Sequence, residues 1–109
     1  MEVEFFKWDE FKMETLHKQI EAGSVSIGFQ VQHPVGYGPD AKMQTTTVRI
    51  HGRPGEVEGR PDHWKVFAVF EQGEQKRTMS RICKPDEVKQ ELERSVNTAR
   101  SMMSARRPV

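Results

Sequence analysis

Nine residues, His63 to Glu71 (HWKVFAVFE), constrain this chain more than any other stretch. The centre of this stretch, Val66 to Phe70, is an unbroken apolar run rich in β-branched and aromatic side chains. It is bounded by a Gly-Arg-Pro-Asp loop on one side and a Gly-Glu turn on the other. A short run of that kind predicts a strand buried on both faces rather than a helix. The remaining segments are less apolar and are expected to pack around it.

The neighbouring segments supply the partners. Lys76 to Lys84 reads as the second arm of a hairpin closed at Gly73-Glu74, where glycine at the first turn position suits a type II′ turn. A two-residue loop sets Glu71 opposite Lys76. One face of that hairpin then carries Trp64, Val66, Ala68 and Phe70 with Met79 and Cys83. The other carries Phe67, Val69 and Ile82 among Lys65, Ser80 and Thr78. The first face is the larger and is expected to lie under the helices. Upstream, Val25, Ile27, Phe29 and Val31 alternate with polar residues or glycine, a half-buried strand that Pro34 is expected to end. A second strand is expected from Met43 to His51.

Two helices flank these strands. The first is expected over residues 9–22, capped by Asp9, with Trp8 stapled on Met13 and a stripe of Met13, Leu16 and Ile20. Gly23 stops it in the left-handed conformation. The second opens on Pro85-Asp86-Glu87 and repeats Val88, Leu92, Val96, Ala99 and Met103 along one face. Residues 2–7 read equally as a short strand or a helical turn, and residues 104–109 as a frayed tail. The order helix, four strands, helix predicts an α+β two-layer sandwich, an antiparallel four-stranded sheet with both helices on one face.

The totals narrow the function classes. With 109 residues the chain is expected to form one domain. Seventeen Lys and Arg against sixteen Asp and Glu leave a net charge of +1, which supplies no global attraction to nucleic acid or anionic lipid. The single Cys83 excludes an internal disulfide and fits a reducing compartment. The acidic start lacks a secretory pattern and no window is long enough to span a membrane, so a cytoplasmic location is expected.

The order of elements is similar to that of a double-stranded RNA binding domain. Pro85-Asp86-Glu87, however, stands where that family carries phosphate-binding lysines, and the resemblance is set aside.

Few features carry chemistry. Cys83 precedes a helix N-terminus that could activate a thiol, yet it reads as a compact buried side chain. His33, His51 and His63 fall at strand ends and would make a metal or acid–base site only if those ends converge. Tyr37, between two glycines, is a candidate recognition contact or a cap on the sheet edge. The loop from Gly52 to Asp62 holds Gly-Arg-Pro twice, places Arg53 and Arg60 at a mobile surface, and is expected to be the most mobile internal segment. Basic residues around Phe67 could form a stacking platform for single-stranded nucleic acid.

These features predict a small non-enzymatic binding module, acting on a protein partner or on a second copy through Phe67, Val69 and Ile82. Nucleic-acid binding through the sheet face and the Gly-Arg-Pro loop is the alternative, and a histidine-based metal or hydrolytic site the second alternative. No cofactor, metal or membrane partner is expected.

Overall fold

A computed structural model describes residues 3–36 and 38–105. The elements in chain order are β1 (Glu4–Phe6), α1 (Met13–Ala22), β2 (Val25–Val35), a 3₁₀ turn (Gly38–Asp40), β3 (Lys42–Pro54), β4 (Trp64–Gln72), β5 (Gln75–Cys83) and α2 (Val88–Ala105). The architecture is α+β, as the pattern of segments predicts. The sheet, however, has five strands in the order β1-β2-β3-β4-β5, not four. It is also mixed, because β1 runs parallel to β2 while every other pair is antiparallel. The extra strand is the segment that read two ways. α1 carries the chain back between β1 and β2, and a strand joined through such a crossover pairs in parallel.

The register fixes the faces. Val25, Ile27 and Phe29 of β2 stand opposite Gly52, Ile50 and Val48 of β3, and these in turn oppose Val66, Ala68 and Phe70 of β4. This is the face the helices cover. Its centre is driest on β2 and β3, where Ile27, Phe29 and Ile50 are fully buried. The expectation that β4 is buried on both sides is therefore corrected. Only Val66 of its apolar run is buried, while Phe67, Ala68, Val69 and Phe70 are half-buried. The apolar run lies one strand from the sheet edge, so one of its faces meets water and part of the other lies beyond the helices. In the β4–β5 hairpin, Glu71 pairs with Lys76 as expected. Gly73 has φ 58°, and no non-glycine among the described residues, Glu74 included, has positive φ, which is the pattern of a type II′ turn.

α1 begins at Met13, four residues later than the predicted helix, and Lys12 occupies its N-cap without a side-chain bond. Phe11 is the cause. It is buried, and its ring meets Phe6 edge-on at 5.1 Å and Phe29 at 5.3 Å. Seating that ring between β1 and β2 holds residues 11 and 12 out of the helix. Trp8, Asp9 and Glu10 form a turn instead, and Arg100 Nε donates to the Trp8 carbonyl at 2.9 Å. Gly23 stops the helix with φ 102°.

α2 buries Val88, Leu92, Val96, Ala99 and Met103, the stripe read from the sequence. Its regular turns start after Pro85, but Lys84 N–H donates to Glu87 Oε1 at 3.0 Å, half of a capping box. Ser104 and Ala105 are helical, and the rest of the expected frayed tail lies outside the described residues.

Pro34 does not end β2, which continues to Val35 opposite Lys42. β1 reaches only as far as Phe29, so beyond that point one side of β2 is a free edge. A proline there removes no ladder bond. β3 likewise continues through Gly52 to Pro54. The long loop is thereby shortened, and it is folded into two successive turns closed by Arg60 N–H to Val57 O and His63 N–H to Arg60 O.

Candidate functional site

α2 packs across β2, β3 and β4, and α1 packs on β2. β5 receives no comparable cover. Eight of its nine residues are exposed, and Cys83 alone is buried. Between α2 and the β4–β5 hairpin lies an open groove of about 690 Å³. Its floor is Val66, Ala68, Phe70 and Met79, and its wall is the α2 flank of Ser95, Thr98, Ala99 and Met102. Met79 points from β5 into this space and is 75% exposed.

The rim is charged. Arg77, Arg81 and Arg94 line the groove with one carboxylate, Glu91. Glu91 binds Arg81 at 2.8 Å and lies 3.6 Å from Arg94. That contact holds Arg81 even more firmly protonated than an ordinary guanidinium. Arg77 makes no ion pair among the described residues. The groove therefore combines an apolar floor with a surplus of positive charge.

The opposite sheet face is open and brings together four of the six residues singled out from the sequence. Arg53, Lys65 and Ile82 form one cross-strand row, His51, Phe67 and Ser80 the next, and Arg49, Val69 and Thr78 the third. Phe67 stacks on His51 at 4.7 Å, and Ile82 is 58% exposed. Carboxylates occupy two of the cations on this side, Arg49 with Glu71 at 2.6 Å and Arg53 with Glu56 at 3.3 Å. At the far edge, Phe5 lies over Gly28 with the Arg49 guanidinium 5.9 Å from its ring centre. Arg60 stands apart on the exposed loop. Tyr37 lies outside the described residues.

The three histidines do not converge. His33 lies on the helix side of β2 and bonds Thr46 Oγ1 at 2.8 Å. His51 is on the open face at the other end of the sheet, its Nδ1 3.0 Å from Ser26 Oγ. Burial, then the Arg53 and Arg49 guanidiniums, push its imidazole below the usual value. His63 pairs with its neighbour Asp62. Among the described residues no group of three His, Cys, Asp or Glu side chains is placed to hold a metal ion. Cys83 is buried as expected, and burial pushes its thiol up rather than activating it, with Glu91 and Glu87 adding to the effect. No described helix is long and apolar enough to cross a membrane.

Sequence reasoning placed Met79 under the helices and missed that this part of the sheet is uncovered. A signal was present: Arg77 and Arg81 flank Met79 on the same face, and charged residues do not line a packed helix–sheet interface. No protein-family model, curated protein sequence or solved structure matches the chain.

Proposed function

We propose that the chain is a non-enzymatic interaction module that takes a protein partner into the groove beside α2 and β5. The observation carrying this reading is the mismatch between the two layers: the sheet has five strands, and the helical layer over it ends at β4. The cleft beyond it is floored by apolar side chains, and concave apolar surface of this kind is where partners dock. A binder rather than a catalyst is supported by the dispersal of His33, His51 and His63 and by the raised thiol of Cys83. Photo-crosslinking in cells tests the reading, with p-benzoylphenylalanine in place of Met79 or, as a control, of Lys89 on the exposed side of α2. A discrete adduct with another protein from position 79 alone is the expected result. No adduct at 79, or the same adduct from both positions, overturns it.

Self-association through the open face is a second reading, favoured by the exposure of Ile82 beside half-buried Phe67 and Val69. On this reading the wild type sediments as a dimer at high micromolar concentration, and Phe67→Ser shifts it toward one chain with helix content kept. A wild type that stays monomeric refutes it. Nucleic-acid binding on the same face ranks lower, because Glu71 and Glu56 already occupy Arg49 and Arg53.

A further inference from the structure

We infer that the occupant of the groove is an acidic amphipathic helix from a different protein, docked beside α2 as a third helix of the upper layer. This rests on the reading of the groove as a protein-binding site and names the chemistry of its partner.

The geometry comes first. Strands are spaced about 4.8 Å apart and packed helices about 10 Å, so one helix covers roughly two strands. Two helices over five strands leave the last strand bare, and the bare strand here is β5, with Met79 facing the vacancy. The α2 flank bordering it presents Ser95 and Thr98, short side chains that let another helix approach closely. Methionine on the floor adapts to the shape of what lies on it.

Strand addition to the free edge of β5 fits less well. The apolar surface lies on the helix-side face of β4 and β5, not along the edge. The strand itself carries Lys76, Arg77 and Arg81, the kind of charges that guard edges against pairing.

The electrostatics give the sign. Three guanidiniums line the groove with one carboxylate, Arg77 and Arg81 from β5 and Arg94 beside Glu91 on α2, and Arg77 is without an ion pair among the described residues. A helix with Asp or Glu bordering its apolar stripe neutralises this surplus, and such complementarity sets partner choice. The same arginines disfavour a second copy, since groove-to-groove packing brings the two basic rims together. Nor does the described chain hold a spare helix of this type. Leu16 of α1 and the whole Val88-to-Met103 stripe of α2 are buried on the chain's own sheet.

The test is selection of a display library of helix-forming 16-residue peptides, random in charge, on the folded chain. Amide-shift mapping then locates the recovered peptides. The expected peptides carry Asp or Glu beside apolar residues at i, i+3, i+4 and i+7, and perturb Ala68, Met79, Ser95 and Thr98. The exposed double variant Arg77→Glu/Arg94→Glu should melt like the wild type and bind them roughly tenfold more weakly. Recovered peptides that are basic, or proline-rich and extended, yet map to the groove overturn the acidic helix and leave the groove as a protein site. Undiminished binding by the double variant also overturns the acidic helix. Peptides that map elsewhere, or no selected peptide at all, overturn both readings.

Discussion

Leu92→Ala measures the helix–sheet interface most directly. Leu92 is fully buried in the middle of α2, and both of its methyls lie over Gly52 of β3. Truncation to alanine removes three carbons from this contact. At about 0.8 kcal/mol for each, the transfer cost is about 2.4 kcal/mol. The floor beneath is a glycine, so no side chain there can relax into the space, and a residual cavity brings the total to about 3–4 kcal/mol. In a domain of this size such a loss lowers the melting temperature by well over 10 °C. A second substitution makes the argument specific. A Cβ on Gly52 would stand 3.4 Å from Leu92 Cδ1, Leu92 Cδ2 and Trp64 Cε3, ordinary contact for a methyl group. Gly52 does not need positive φ, so Gly52→Ala alone should be neutral or stabilising by up to about 1 kcal/mol. In the Leu92→Ala background the same methyl fills part of the cavity, and a coupling of about 0.5–1 kcal/mol should appear in a double-mutant cycle. Urea denaturation of the four proteins gives all the values. A loss below 1 kcal/mol for Leu92→Ala, or zero coupling, would refute this packing.

Three further outcomes are expected. Gly28→Ala should be destabilising by about 1 kcal/mol, unlike Gly52→Ala, because its Cβ would fall 2.7 Å from the Phe5 ring and 2.9 Å from Val3 Cγ1, displacing β1; equal midpoints for the two alanine variants would contradict it. His51 has a lower pKa folded than unfolded, so the unfolded chain binds the proton more readily and stability falls as pH drops below about 6.5 toward the folded value, while above 6.5 the contribution is complete; His51→Gln should lack this part of the pH dependence between pH 7.5 and 5.5, and identical slopes would exclude it. Cys83, buried and with a raised pKa, should react with iodoacetamide far more slowly than a free thiol until urea unfolds the chain, whereas rapid native labelling would show an open strand end.

Much of the fold was legible in the sequence because periodicity reports which side of an element is dry. The stripe of α2, the alternation of β2, the Gly23 stop and the Gly73-Glu74 hairpin with its Glu71–Lys76 pair all follow from local pattern and turn chemistry. Where the pattern misled, a distant contact had overridden it. Phe11, seated between Phe6 and Phe29, moved the start of α1, and the pairing of Glu4 with Ile27 turned an ambiguous segment into a parallel fifth strand. Pro34 stayed inside β2 because β1 is too short to need its missing N–H.

The sequence by itself determined which residues share each face of the β4–β5 hairpin, since the two-residue turn locks the register and strand side chains alternate without exception. It could not determine how far the helices extend over that hairpin. Coverage depends on where α2 crosses the sheet, and that crossing is set by Leu92 settling over Gly52, forty residues away in the chain. Only the tertiary structure therefore decided that Met79, Arg77 and Arg81 lie in an open groove instead of beneath a helix. A strand's alternation states which side a residue takes, and the packing of remote elements decides whether that side is covered.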